Sequence, residues 1–216
     1  NVLALKPANI SFEEAAAGAQ AAVVALQGLR NQGQIKKGQM VLVYGASGGI
    51  GTFAVQIAKS FGAEVTGVCS TRNLDLVHSI GADQVIDYTR NDFTKNGQKY
   101  DLIIATAGYR SIFDYKRALR PSGIYVATGG AMAQIFQALL LGPLISMTGN
   151  KKMVMLTAKL NQKDLVFMKE LFESGKVKSV IDRRYPLKEI AEALRYYAGG
   201  HARGKVVITV ANNIKT

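Results

Sequence analysis

From Gln39 onward, short runs rich in β-branched residues alternate with segments whose apolar positions recur at helical spacing. The pattern predicts strands at 40–44, 64–68, 84–86, 101–105 and 123–128. Helices are predicted between them at 49–61, 73–80 and 111–119. The strands are continuous apolar runs, not alternating ones, as expected of strands covered on both faces. Strand and helix taking turns in this way predicts a parallel sheet with helices on either side.

The flanks extend the picture. Ser11 followed by Glu14 forms a capping-box pattern that opens an alanine-rich run, so one helix is predicted over 12–29. Gly33 and Gly38 then break the chain. After the fifth strand the pattern predicts helices at 134–141, 163–174 and 187–198, an edge strand at 153–157 and a closing strand at 205–210. The polar tail 211–216 is expected to fray. The expected fold class is α/β, a single doubly wound parallel sheet (a Rossmann fold) over 39–210, entered by a helical lead-in at 1–38. No internal repeat or low-complexity segment interrupts it.

Composition narrows the class without naming a function. The 216 residues are 48% hydrophobic and 19% charged, ordinary for a globular protein with a core. No apolar run reaches the ~20 residues that span a bilayer. The longest, 135–145, is interrupted by Gln137, Gly142 and Pro143 and is expected to be a buried helix. Residues 1–7 lack the pattern of a secretory signal, and Cys69 has no second cysteine to pair with, so a cytoplasmic location is the expectation. The net charge of +12, from 27 Lys+Arg against 15 Asp+Glu, suits a polyanionic ligand. Dinucleotide phosphates and RNA both qualify, because the basic residues form only short pairs such as Lys36-Lys37 and Arg183-Arg184.

The chemistry concentrates at Val41-Leu-Val-Tyr-Gly-Ala-Ser-Gly-Gly-Ile-Gly51, which runs from a strand through four glycines into a helix. A pyrophosphate needs backbone N–H groups, the positive end of a helix dipole, and residues without a Cβ that let the backbone come close. Gly45, Gly48, Gly49 and Gly51 meet the last need, Ser47 adds a hydroxyl, and Ile50 sits at the helix entrance. At the end of the second strand, NAD-binding proteins place a carboxylate for the adenosine ribose. This chain has Ser70, Thr71 and Arg72 there and no acidic residue before Asp75, which favours the 2′-phosphate of NADP(H). Tyr88, after the third strand, is a candidate neighbour of the adenine. Thr106 and Gly108 end the fourth strand, Gly129 and Gly130 the fifth, and their small size suits the nicotinamide half. Lys205 is a candidate cationic contact.

Other chemistries find little support. His78, His201 and Cys69 do not form a spaced ligand cluster, so no metal site is expected. A short-chain dehydrogenase would need a Tyr-x-x-x-Lys pair, and none of the nine tyrosines has a lysine four positions on. No catalytic residue emerges from the sequence.

Several segments in order resemble one family. They are Lys6-Pro-Ala-Asn-Ile-Ser-Phe-Glu-Glu-Ala-Ala16, Gly45 to Gly51, Ala54-Val-Gln-Ile-Ala-Lys59, Phe61-Gly-Ala63, Ser79-Ile-Gly-Ala-Asp83, Val85-Ile-Asp-Tyr88 and Gly204-Lys-Val-Val207. The chain resembles the medium-chain dehydrogenase/reductase superfamily, and within it the zinc-independent quinone oxidoreductase-like branch. The resemblance implies NADPH-dependent hydride transfer to a quinone, enone or related carbonyl acceptor. It also implies a homodimer, expected here through the sheet edge at 153–157. Members of the family carry a GroES-like substrate domain that precedes most of this sequence, so the chain is expected to be mainly a cofactor-binding domain. Ala17-Gly-Ala-Gln20 departs from the family's larger, proline-containing interdomain segment.

Overall fold

The computed structural model describes residues 2–210. Its main sheet has six strands: β1 (Met40–Tyr44), β2 (Glu64–Cys69), β3 (Gln84–Asp87), β4 (Tyr100–Ala105), β5 (Leu119–Ala127) and β6 (Lys152–Met155). Their order is β3-β2-β1-β4-β5-β6, and every neighbouring pair is parallel. The doubly wound α/β fold is therefore present as expected. The chain steps outward from β1 to β2 and β3, then returns to the other side of β1 to lay down β4. The connections leave β1 and β4 in opposite directions, which opens a crevice at their carboxyl ends.

The helices are α1 (Phe12–Gly18), α2 (Ala21–Leu26), α3 (Gly51–Ser60), α4 (Leu74–Ser79), α5 (Ile112–Ala118), α6 (Met132–Thr148), α7 (Gln162–Glu173) and α8 (Ile190–Ala198). Successive strand residues point to opposite faces. Val41, Val43, Leu102 and Ile104 pack in one core with α2, α3 and α7. Leu42, Tyr44, Ile103 and Ala105 pack in the other with Ile112 and Tyr115 of α5 and Ala138 and Ile145 of α6. Both faces are covered, which is why the strands carry no polar alternation.

Four features depart from the sequence expectations. The helix predicted over 12–29 is broken: α1 ends at Gly18, one of the two glycines in the run, and a π-helical turn at Gln27–Gln32 that holds the other follows α2. Gly18 lies so close to Phe172 that a Cβ there would stand 2.7 Å from the ring. The helix predicted to be buried around 135–145 is α6, and only one face of it is covered. Gln134, Ala138, Gly142 and Ile145 face inward, whereas Met132, Phe136, Leu139, Leu140, Leu144 and Met147 are exposed. The closing strand, β8 (Lys205–Thr209), does not join the main sheet. It pairs in parallel with β7 (Ile181–Pro186), which the sequence pattern missed, as a separate two-stranded sheet. That sheet is tied to α1 by the Arg184–Glu13 ion pair and by the Thr209 hydroxyl, 3.3 Å from Glu13. Finally, α2 lies deep in the first core, so the lead-in is joined to the sheet more closely than a boundary at residue 38 expresses. The tail 211–216 lies outside the described residues.

Among the described residues no helix is long and apolar enough to cross a membrane.

Candidate functional site

The crevice is floored by the turn between β1 and α3. Gly45 turns the chain at φ +83°, and its N–H and that of Ala46 both donate to the Val68 carbonyl, at 3.1 and 3.0 Å. Gly51 passes so near that a Cβ on it would lie 2.0 Å from the Gly45 carbonyl oxygen. Gly48 differs: a Cβ there would meet only that same oxygen, at 3.4 Å, and otherwise open space. Two of the four glycines thus serve the turn itself, and Gly48 leaves room above it. No side chain caps the N-terminus of α3, so its dipole and leading N–H groups face the crevice uncapped.

The turn is closed from the far end of the chain. Gly204 donates its N–H to the Ser47 carbonyl at 2.9 Å and bridges Gly48 in a parallel pairing. Lys205 follows, with its chain lying over Gly49; a Cβ on Gly49 would stand 2.8 Å from Lys205 Cδ and 3.7 Å from Nζ. Burial pushes the Lys205 ammonium below its ordinary pKa. Among the described residues no carboxylate pairs with it.

Two cavities meet over this turn, sharing Gly48, Ala107, Gly200 and Ala202. The first, about 740 Å³, contains Gly45, Ser47, Gly48, Ser70, Thr71, Arg72, Tyr88 and Gly108 in its lining. The second, about 600 Å³, contains Gly48, Gly49, Ile50, Thr106 and Lys205. Twelve of the fifteen residues singled out from the sequence therefore line these two adjoining cavities; Gly51, packed within the turn, lines neither. Gly129 and Gly130 line neither cavity. They pack behind the β4 turn instead, where Cβ atoms would stand 3.0 Å from the Thr106 carbonyl oxygen and 2.8 Å from that of Gly108. Gln134 holds them there by donating to the Gly129 carbonyl at 3.0 Å.

The end of β2 is more elaborate than the sequence implied. Arg72 donates to the His201 carbonyl at 3.0 Å, which joins the β2 turn to the 199–204 loop across the first cavity. The Thr71 hydroxyl is already committed, donating to the Asp87 carboxylate at 2.5 Å. Asp87 is the carboxylate that counting along the chain to Asp75 overlooked; it comes from the end of β3, beside β2. Its oxygens also accept from the Thr89 N–H and hydroxyl at 2.9 and 2.7 Å. The Thr71 bond is the foremost reason its carboxyl stays below the ordinary value. Burial, with Asp87 nearby, pushes the Cys69 thiol up to about 11, so Cys69 is a weak nucleophile. Asn73, also missed, donates to the hydroxyls of both Ser47 and Ser70, at 3.0 and 3.1 Å.

The space fits a dinucleotide. It offers an uncapped helix N-terminus, an open approach over Gly48, two hydroxyls, and a cation in the lining of each cavity, Arg72 and Lys205. Among the described residues no three His, Cys, Asp or Glu side chains converge.

Known proteins resemble this chain over most of its length. The family described as zinc-binding dehydrogenase matches residues 80–208. A chloroplast envelope quinone oxidoreductase homolog of Arabidopsis thaliana is 35% identical over 213 residues, covering 94% of this chain and 64% of that protein. A 2-methylene-furan-3-one reductase of Solanum lycopersicum is 37% identical over 212 residues, covering 96% of this chain and 49% of that protein. The structure of a quinone oxidoreductase from Coxiella burnetii superposes with a TM-score of 0.86 at 28% identity, over 96% of this chain and 64% of that one. The chain thus spans about half to two thirds of the length of these relatives.

Proposed function

Because the chain belongs to the medium-chain dehydrogenase/reductase family, in its zinc-independent quinone oxidoreductase-like branch, we propose that it binds NADP(H) for reduction of a quinone or α,β-unsaturated carbonyl compound. The observation that carries the cofactor reading is the convergence of Ser47, Gly48, Ser70 and Arg72 on one cavity at the N-terminus of α3. In this reading Gly48 to Ile50 receive the pyrophosphate, with Lys205 as counter-charge. Ser70 and Arg72 take the 2′-phosphate, and Tyr88 flanks the adenine. Thr71 buttresses the β2 turn through Asp87. Thr106, whose hydroxyl bonds to the carbonyls of Tyr44 and Gly45 at 3.1 Å each, shapes the nicotinamide end. Bound there, NADPH supplies a hydride; the protein supplies position and electrostatics. The acceptor class follows the names of the two relatives.

Calorimetric titration of the chain with NADPH and NADH tests the preference. NADPH is expected to bind at least about tenfold more tightly, and Arg72→Ala to remove about 1.5–3 kcal/mol of that binding while changing NADH little. Equal affinities in the unaltered chain sink the preference for the phosphorylated cofactor.

The proposal extends to a homodimer through β6. That strand is an edge with one ladder partner, and the exposed apolar side of α6 lies next to it. Light scattering is expected to give twice the chain mass, and a monomer at every concentration removes the dimer. A cytoplasmic location rests on the lone, buried thiol of Cys69.

A further inference from the structure

We propose that Asn73 is a positioning residue of the cofactor cleft, holding Ser47 and Ser70 so that both hydroxyls donate to phosphate groups; this rests on the NADP(H) reading. Asn73 ends a short 3-10 turn, Thr71–Asn73, directly before α4. An asparagine there ordinarily caps the helix through its side-chain oxygen. Here the side chain makes no cap bond to α4. It turns toward the cleft instead, 4% exposed, and spends both amide hydrogens on the two serines.

The consequence is a matter of counting hydrogens. A seryl oxygen has one hydrogen to give. Since each of these oxygens accepts from Asn73, neither hydroxyl needs to give its hydrogen to the amide. Both hydrogens remain for groups in the cavity that Ser47 and Ser70 line. Reversing the amide would place Oδ1 against both hydroxyls, absorb their hydrogens, and present lone pairs to an incoming anion.

The observed orientation leaves Asn73 Oδ1 buried with no hydrogen-bond partner. An unsatisfied buried carbonyl is unfavourable, and native folds seldom keep one without a return elsewhere. Holding two donors toward a phosphate is that return. The two serines also belong to different loops, one after β1 and one after β2. The single amide therefore fixes the spacing between the pyrophosphate and 2′-phosphate subsites, and the distance across the dinucleotide is built into one side chain.

A double-mutant cycle on the whole chain, read by NADPH calorimetry beside thermal melts, tests the assignment. Asn73→Ala is expected to weaken NADPH by about tenfold. In a Ser47→Ala/Ser70→Ala background the same change is expected to cost less than about twofold, because the amide has nothing left to position. An equal loss in both backgrounds, or no loss in the first, overturns the proposal. Should the alanine variant not fold, Asn73→Asp keeps the shape and draws both hydroxyls inward. NADPH affinity is then expected to fall by more than tenfold, and an unchanged affinity overturns the assignment. If the unaltered chain binds no NADPH, the cofactor reading fails and this role with it. Binding by the unaltered chain with an additive cycle removes the Asn73 role alone.

Discussion

Gly51→Ala is expected to cost the fold at least about 3 kcal/mol, because the new methyl would overlap a backbone carbonyl that cannot rotate away. The Cβ would stand 2.0 Å from the Gly45 oxygen and 2.8 Å from the Gly45 carbonyl carbon. Relief would require the strand-to-helix turn to open, and that turn is held by the bonds from Gly45 and Ala46 to Val68. For a domain of this size the loss corresponds to a fall of about 6–12 °C in Tm. Gly48→Ala is the control at the same turn. Its Cβ meets an ordinary contact, so the melt is expected to be nearly unchanged; under the proposed cofactor reading NADPH affinity is expected to fall, because the methyl would occupy the approach of the pyrophosphate. A Gly51→Ala chain that melts like the unaltered one would contradict this account of the turn.

Asp164→Ala is expected to be the second most damaging change, at about 3 kcal/mol. Asp164 opens α7, is 2% exposed, and accepts from Gln27 at 2.6 Å, Asn161 at 2.7 Å and the Arg30 guanidinium. It fastens α7 to the π-helical turn after α2. Removing the carboxylate leaves Gln27 with only its two bonds to Lys159, donating to the carbonyl at 2.7 Å and accepting from the N–H at 3.1 Å, and leaves Arg30 without its ion pair. The cost stays at the low end for a buried pair because the Arg30 side chain is 34% exposed and keeps contact with water. Burial by itself raises the Asp164 pKa, but the bonds from Gln27, Arg30 and Asn161 reverse this and hold it below the ordinary value. The contribution is therefore complete above the unfolded carboxyl pKa of about 3.9 and fades as pH falls through the lower folded value. Calorimetric melts of both chains should differ by a constant amount above about pH 5 and converge only under stronger acid. A difference that is the same at every pH would mean that the carboxylate charge is not what stabilises the fold.

These two sites also mark how much the sequence disclosed. The β1-turn-α3 unit was legible because three local signals coincide there: an apolar run, clustered glycines and a helical repeat. The main sheet followed from the same alternation. Asp164 gave no such signal, since its partners Gln27 and Arg30 are joined to it only by the packing of α2 against α7. β7 was missed because Ile-Asp-Arg-Arg-Tyr-Pro has little strand character alone; its pairing with β8 makes it a strand. The outward face of α6 was misjudged because hydropathy registers apolar content and not the direction a side chain points. Ser70 and Arg72 could be found by counting from the strand end. Asp87 and Asn73 could not, because their meaning arises from side chains on other loops.

The bond from Gly204 to Ser47 joins the turn after the first strand of the main sheet to the segment that leads into β8 of the separate two-stranded sheet. A ribosome releases Ser47 long before Gly204, so the parallel sheet can gather while the glycine-rich turn still lacks the segment at Gly204 and Lys205 that closes it. Joining two such distant points costs more chain entropy than any local turn, and the gain comes only when both ends are in place. Under the proposed cofactor reading, competence to hold a dinucleotide therefore needs Gly204 in place as well as the glycine-rich turn. A chain stalled or clipped before Gly204 would keep its glycine-rich turn and much of its core, yet present an unfinished site, with neither the bridge to Gly48 nor the Lys205 ammonium above it.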